Sequence, residues 1–208
     1  STLHFWYPGY WFWVIPLRGG LTSIGLTGEI VNQRKELRTA DGFLAFIREH
    51  TALRELVDGA SNLDFCAFNQ IAYGTRRFFH EDRWGLTGES ATAADPFYSP
   101  GADFIALEND FLTDLVKRDF AGASAAQMTE RCEAYDAFVA FRHEATMHLF
   151  RGLYDSLASF DLARAKWNLD IGSYYNLWLS SYMRDRHLDL RWLRYQEGQR
   201  PAVLSALR

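Results

Sequence analysis

From Tyr10 to Ile15 the chain runs through Trp11, Phe12, Trp13 and Val14 without a charged residue, and Pro16 ends the run. A short, ring-rich, uninterrupted apolar run predicts a strand covered on both faces. Arg18, Gly19 and Gly20 then read as a hairpin turn, and residues 21–31 as a returning strand with Ile24 and Leu26 on one face. Neither strand has an evident partner in the nine residues before Tyr10.

Phe43, Phe46, Ile47, Leu53, Leu56 and Val57 recur at helical spacing, which predicts a surface helix pair over residues 40–57, broken near Thr51 and stopped at Gly59. Residues 63–79 alternate well enough for one or two strands, with Gly74 at a bulge. They lead into a short buried strand over residues 84–87. A glycine turn at Gly88 and Glu89 follows, then a small-residue segment and the corner Asp95, Pro96, Phe97, Tyr98, Ser99, Pro100, Gly101.

After Gly101 the apolar positions Phe104, Leu107, Phe111, Leu112, Leu115 and Val116 mark one helix face. Asp103 lies in the first turn, Lys117 and Arg118 in the last, and Gly122 beyond them, an order that suits the helix dipole. Ser124 and Gln127 have capping-box spacing and open a long helix reaching to about residue 157. A further helical region over residues 161–183 is interrupted by Gly172, and the arginine-rich tail after Arg184 reads as a solvated end. The composition shifts once, near residues 121–124, which divides a mixed region (residues 1–121) from a helical one (residues 122–208).

The 208 residues are 48% apolar and 16% aromatic, with 22 basic against 26 acidic side chains for a net charge of −4. No basic stripe marks a nucleic-acid binder, and no apolar run is long enough for a membrane span. Cys66 and Cys132 lack metal or redox spacing and read as reduced core thiols of a cytoplasmic protein. His143, Glu144 and His148 approximate a zinc motif, but an i, i+5 pair stands about 140° apart around a helix, so no metal site is expected.

The corner leaves amides unpaired at a helix start, an arrangement suited to an anion or an electron-rich ring edge. Here two motifs converge on one family. Trp11, Phe12, Trp13, Val14, Ile15, Pro16 reads WxWxIP and resembles the signature of flavin-dependent halogenases. The segment from Gly88 through Asp95 to Gly101 resembles the second flavin-binding segment of those proteins and of the related aromatic monooxygenases. The resemblance covers roughly residues 10–179.

It implies an α+β fold, the C-terminal portion of a class A flavin monooxygenase-like architecture followed by a helical substrate-pocket region. It implies FAD, delivered reduced by a separate flavin reductase, with O2 oxidising chloride or bromide to halogenate a small aromatic or apolar substrate. By the same resemblance Gly88, Glu89, Asp95, Pro96, Ser99, Pro100, Gly101, Ala102 and Asp103 would face the flavin, and Trp11, Trp13, Ile15 and Pro16 would wall it from substrate.

Three departures stand beside the likeness. No GxGxxG fingerprint is present, so the FAD pyrophosphate has no seat. The family lysine has no counterpart, since Lys35, Lys117 and Lys166 read as surface residues, and no catalytic residue is assigned. Glu89 stands where the family has Asp. The expectation is a C-terminal piece whose N-terminal Rossmann half comes from the same protein or a partner chain. The alternatives are a hydroxylating FAD monooxygenase of the same fold and a non-catalytic binder of an apolar ligand.

Overall fold

The aromatic run is a strand, and its partner lies inside the first nine residues after all. In the computed structural model, which describes residues 1–207, β1 (Leu3–Tyr7) pairs antiparallel with β2 (Tyr10–Pro16), Leu3 opposite Val14 and Tyr7 opposite Tyr10. Pro8 and Gly9, with φ +79° at Gly9, make the turn. β3 (Thr22–Gly28) completes a three-stranded sheet in the order β1-β2-β3. It stops short of residue 31 because Tyr10 opposite Gly28 is the last available pair, and the chain then turns into the short helix α1 (Ile30–Gln33).

One pairing explains a glycine. Trp13 stands opposite Gly25, and a Cβ there would lie 1.7 Å from the indole, so only glycine lets the ring lie across the neighbouring strand. Behind the sheet, α2 (Ala40–Arg48) and α3 (Thr51–Val57) form the expected pair. Phe12 and Val14 meet Leu37, Phe46, Ile47 and Leu53 in one apolar core. Residues Ser1–Gln70 and Tyr154–Ala163 make up this compact unit, and Ile71–Leu153 with residues 164–207 make up a second.

Residues 63–78 are irregular where strands were expected. Tyr73 makes an isolated antiparallel bridge to Ala93, and the Phe78 carbonyl accepts from the Leu86 amide at 2.8 Å. β4 (Phe79–His80) and β5 (Trp84–Gly85) form a two-residue hairpin instead of a buried strand. Trp84 is 43% exposed and stacks on His80.

The second unit is helical. α4 (Pro100–Phe120) ends where Gly122 takes φ +82°, and α5 (Ala125–Phe150) opens on the Ser124/Gln127 capping box. Residues 121–124 are thus a turn between two helices of one unit. α5 stops at Phe150, before the expected residue 157, because Gly152 at φ +70° turns the chain into the single turn α6 (Leu153–Ser156).

α7 (Phe160–Ser173) runs straight through Gly172 and changes at Tyr174 into a π-helical segment, Tyr174–Leu179, followed by α8 (Ser180–Tyr182). The tail is no solvated end. It forms α9 (Leu190–Ala206), which packs along α5 with Leu193 and Leu204 buried. Phe111 stacks flat on Tyr135 at 4.1 Å in the core of this unit. Cys132 is buried as expected, whereas Cys66 is exposed.

Candidate functional site

The turn at Gly88 is built before any ligand is considered. The Thr87 amide donates to Ser90 Oγ at 3.1 Å and Ser90 Oγ donates back to the Thr87 carbonyl at 2.7 Å, closing a single 3₁₀ turn over Gly88–Ser90. Gly88 sits at φ +57°, and a Cβ would meet Ile105 Cγ1 at 2.8 Å. Its amide donates to Glu108 Oε2 at 2.5 Å. Tyr73 clamps the loop from the other side, exchanging two 3.0 Å backbone bonds with Ala93 while its hydroxyl donates to the Glu89 carbonyl.

The corner follows the same logic. Asp95 Oδ1 accepts from the Phe97 amide at 2.9 Å and caps the turn Pro96–Tyr98, with Pro96 in its first position. Ser99 then adopts the left-handed conformation, φ 54° and ψ 43°, which turns the chain sharply into α4 with Pro100 leading. In that conformation the Ser99 side chain caps nothing. The first-turn amides of a 21-residue helix are left without a side-chain cap, beside exposed Gly101 and Ala102, and nothing lies within 4 Å of where a Gly101 Cβ would be.

Asp103 is tied inward by the Tyr174 hydroxyl, which donates to Oδ1 at 3.2 Å. Burial, then the Asp103 charge, push the Tyr174 phenol up to about 12. Tyr98 donates to Asp170 Oδ2 at 2.6 Å, and burial together with Asp170 raises its phenol as well. Lys166, expected at the surface, bonds to this same buried Asp170 and donates to the Leu149 carbonyl. Lys35 and Lys117 are exposed.

Two charged residues that sequence pattern did not single out lie beneath the turn. Glu108 is wholly buried, and desolvation pushes its carboxyl up to about 7 against the opposing pull of the Gly88 amide and Arg142. Arg142 is 7% exposed, lies over the rings of Phe104 and Trp178, and makes no hydrogen bond or ion pair to any described residue. The only hint in the sequence was their charge on helix faces otherwise apolar.

The aromatic strand belongs to the first unit. Trp11, Trp13 and Ile15 share the face away from the Phe12/Val14 core. Trp11 is 2% exposed and donates to the Tyr154 hydroxyl at 3.3 Å, so Trp13 and Ile15 present that face while Pro16 is exposed at its end. Of the zinc-like trio, Glu144 pairs with Arg200 and His143 packs beneath Gly74, its pKa lowered by burial. No group of three metal-ligating side chains gathers among the described residues. None of their helices is long and apolar enough to cross a membrane. A separate cavity of about 400 Å³ opens between α5, α7 and α9, lined by His148, Lys166, Asp170, Leu177 and Val203 among others.

The fold is that of the flavin-dependent halogenases. It superposes on the solved structure of halogenase PltM in complex with ethyl mercury and mercury at a TM-score of 0.71, covering 99% of this chain and 41% of that one at 18% identity. PltM in complex with phloroglucinol and FAD matches at 0.66, covering 95% of this chain and 41% of that one at 19% identity. In sequence the chain is similar to flavin-dependent halogenase chlA of Dictyostelium discoideum, 29% identical over 192 residues. That match takes in 90% of this chain and falls in the C-terminal part of the relative, so the chain spans about a third (32%) of the relative's length. No protein-family model matches the chain.

Proposed function

We propose that this chain is the flavin-ring-facing and substrate-side portion of an FAD-dependent halogenase acting on a small aromatic or apolar substrate. The observation that carries the reading is the uncapped start of α4 at Ser99–Pro100–Gly101, within a halogenase fold. Amides aimed out of a long helix stabilise an electron-rich ring edge or a halide, and the open space above Gly101 gives a flat ring room to approach. These residues fit the ring edge of a flavin. They do not fit its pyrophosphate, for which the chain has no glycine-rich turn before a helix.

When bound, reduced FAD with O2 supplies the oxidising equivalents for chloride or bromide. The chain's own part is to hold and exclude. Asp95 and Pro96 fix the turn that aims the corner, Ser99 sets the helix entry, and Gly88 with Glu89 bounds the approach. Trp13 and Ile15 offer an apolar face suited to separating flavin from substrate. A flavin reductase and a dinucleotide-binding half are the partners this reading requires.

Gly101 gives a clean test, because its backbone is not left-handed and a side chain there meets open space. Gly101→Phe is expected to leave the melting temperature unchanged while abolishing the absorbance change on adding FAD and the halide-dependent product from reduced FAD, O2 and an aromatic acceptor. The measurement is made on the chain as given and on any longer protein containing it. No flavin response and no halogenated product in either would sink the reading.

A further inference from the structure

Glu108 occupies a place that hydrophobic packing alone would give to leucine. It lies on the buried face of α4 beside Leu107 and Phe111 and is 0% exposed. Among the described residues, its one hydrogen-bond donor is the Gly88 amide. Ile105, from the same helix, packs where a Gly88 side chain would stand. One helix therefore fixes both halves of the candidate flavin site, starting at the corner and gripping the Gly88–Ser90 turn further along.

We propose that Glu108 is a positioning residue whose protonation state sets how firmly the Gly88–Ser90 turn is held against α4. This rests on reading that turn as part of a flavin site. The groups facing the carboxyl are the Gly88 amide from the turn and the Arg142 guanidinium from α5. Asp103 and Tyr174 act on Arg142 and not on Glu108.

Ionised, Glu108 accepts a charge-assisted bond from Gly88 and adds to the Asp103 charge in balancing Arg142. Protonated, it keeps only a weaker neutral bond. Oε1 has no hydrogen-bond partner among the described residues.

The two consequences of titration oppose each other. With the folded carboxyl raised from 4.5 to about 7, stability present below pH 4.5 is lost as pH rises through 7, while the turn is gripped more tightly. The loss of stability is expected of any buried carboxylate, whereas the tighter grip on the turn is not expected of one that merely fills space.

The test is the Gly88 amide resonance in glycine-labelled protein between pH 5 and 9. The wild type is expected to titrate with a midpoint near 7. Glu108→Gln, which keeps an acceptor, should hold the resonance near its wild-type position without titrating, and in Glu108→Leu the hydrogen-bonded shift should disappear. A Gly88 signal that does not titrate, or that titrates equally in Glu108→Gln, overturns the proposal, and the Gln variant decides it even if the Leu variant does not fold.

In protein that binds FAD, Glu108→Leu should weaken binding about tenfold, the loss of one charge-assisted bond, and Glu108→Gln should remove only the pH dependence. Absence of any FAD binding would tell against the functional reading and leave the resonance test standing.

Discussion

The two compact units bury different things. In the first, the interior is ring and aliphatic carbon, and its one buried polar residue among those described, His50, is satisfied on both ring nitrogens. One meets the Tyr10 hydroxyl and the other the Phe46 carbonyl, each at 2.9 Å. In the second, Glu108, Arg142, Asp170 and His187 are buried, and each keeps a side-chain nitrogen or oxygen with no hydrogen-bond partner among the described residues. Native interiors rarely tolerate such atoms without a reason. The buried polar residue behind the aromatic strand is thus satisfied, while the helical unit that carries the corner buries several charged groups whose hydrogen bonding is incomplete.

The comparison breaks most visibly under core truncation. Phe111→Ala removes the ring stacked on Tyr135, and Phe12→Ala removes the centre of the sheet's core, and each is expected to destabilise by about 3–5 kcal/mol. Hydrogen exchange should report the first in α4 and α5 and the second in β1 to β3. If Phe12→Ala deprotects α4 and α5 equally, the units do not respond separately and the contrast loses its energetic meaning.

A smaller effect sharpens it. Arg142→Met exchanges a buried charge that has no hydrogen bond to a described residue for an apolar side chain and is expected to be neutral or stabilising, by up to about 4 kcal/mol. His50→Leu should instead destabilise by about 1–3 kcal/mol, because it strands the groups His50 satisfies. Denaturant titration reads both, and a larger loss for Arg142→Met than for His50→Leu would reverse the assignment of satisfied and incompletely satisfied interiors. Smallest is Ser124→Ala, which removes the α5 cap at a cost of about 1 kcal/mol wherever the buried charges lie. Thermal unfolding measures it.

What the sequence displays well is local chemistry. The hairpin at Gly19 and Gly20, the start of α4 at Ser99 and Pro100, the α5 capping box and the stop at Gly122 are all written in residues with one conformational job. What it hides needs a partner. Leu3 to Tyr7 does not alternate clearly enough to announce a strand until β2 lies beside it. Residues 63–78 alternate, yet their strand pairing amounts to the isolated bridge from Tyr73 to Ala93.

The tail conceals α9 because Pro201 and its arginines interrupt an apolar stripe that only α5 makes meaningful. The site divides the same way. The corner was legible from its turn residues, whereas the carboxyl that grips it from a core position, and the tyrosine that clamps it from an irregular loop, carry no motif.

The π-helical segment Tyr174–Leu179 has a consequence for how this region tolerates change in length. Each residue advances an α-helix by about 100°, so losing one from the segment would rotate everything before it against everything after. Tyr174 reaches Asp103 from one side of that junction, while Trp178 packs against Phe138 and Phe141 from the other. Substitutions there alter single contacts, but a one-residue deletion would put the corner and the core out of phase. The segment is therefore expected to vary in composition among relatives long before it varies in length.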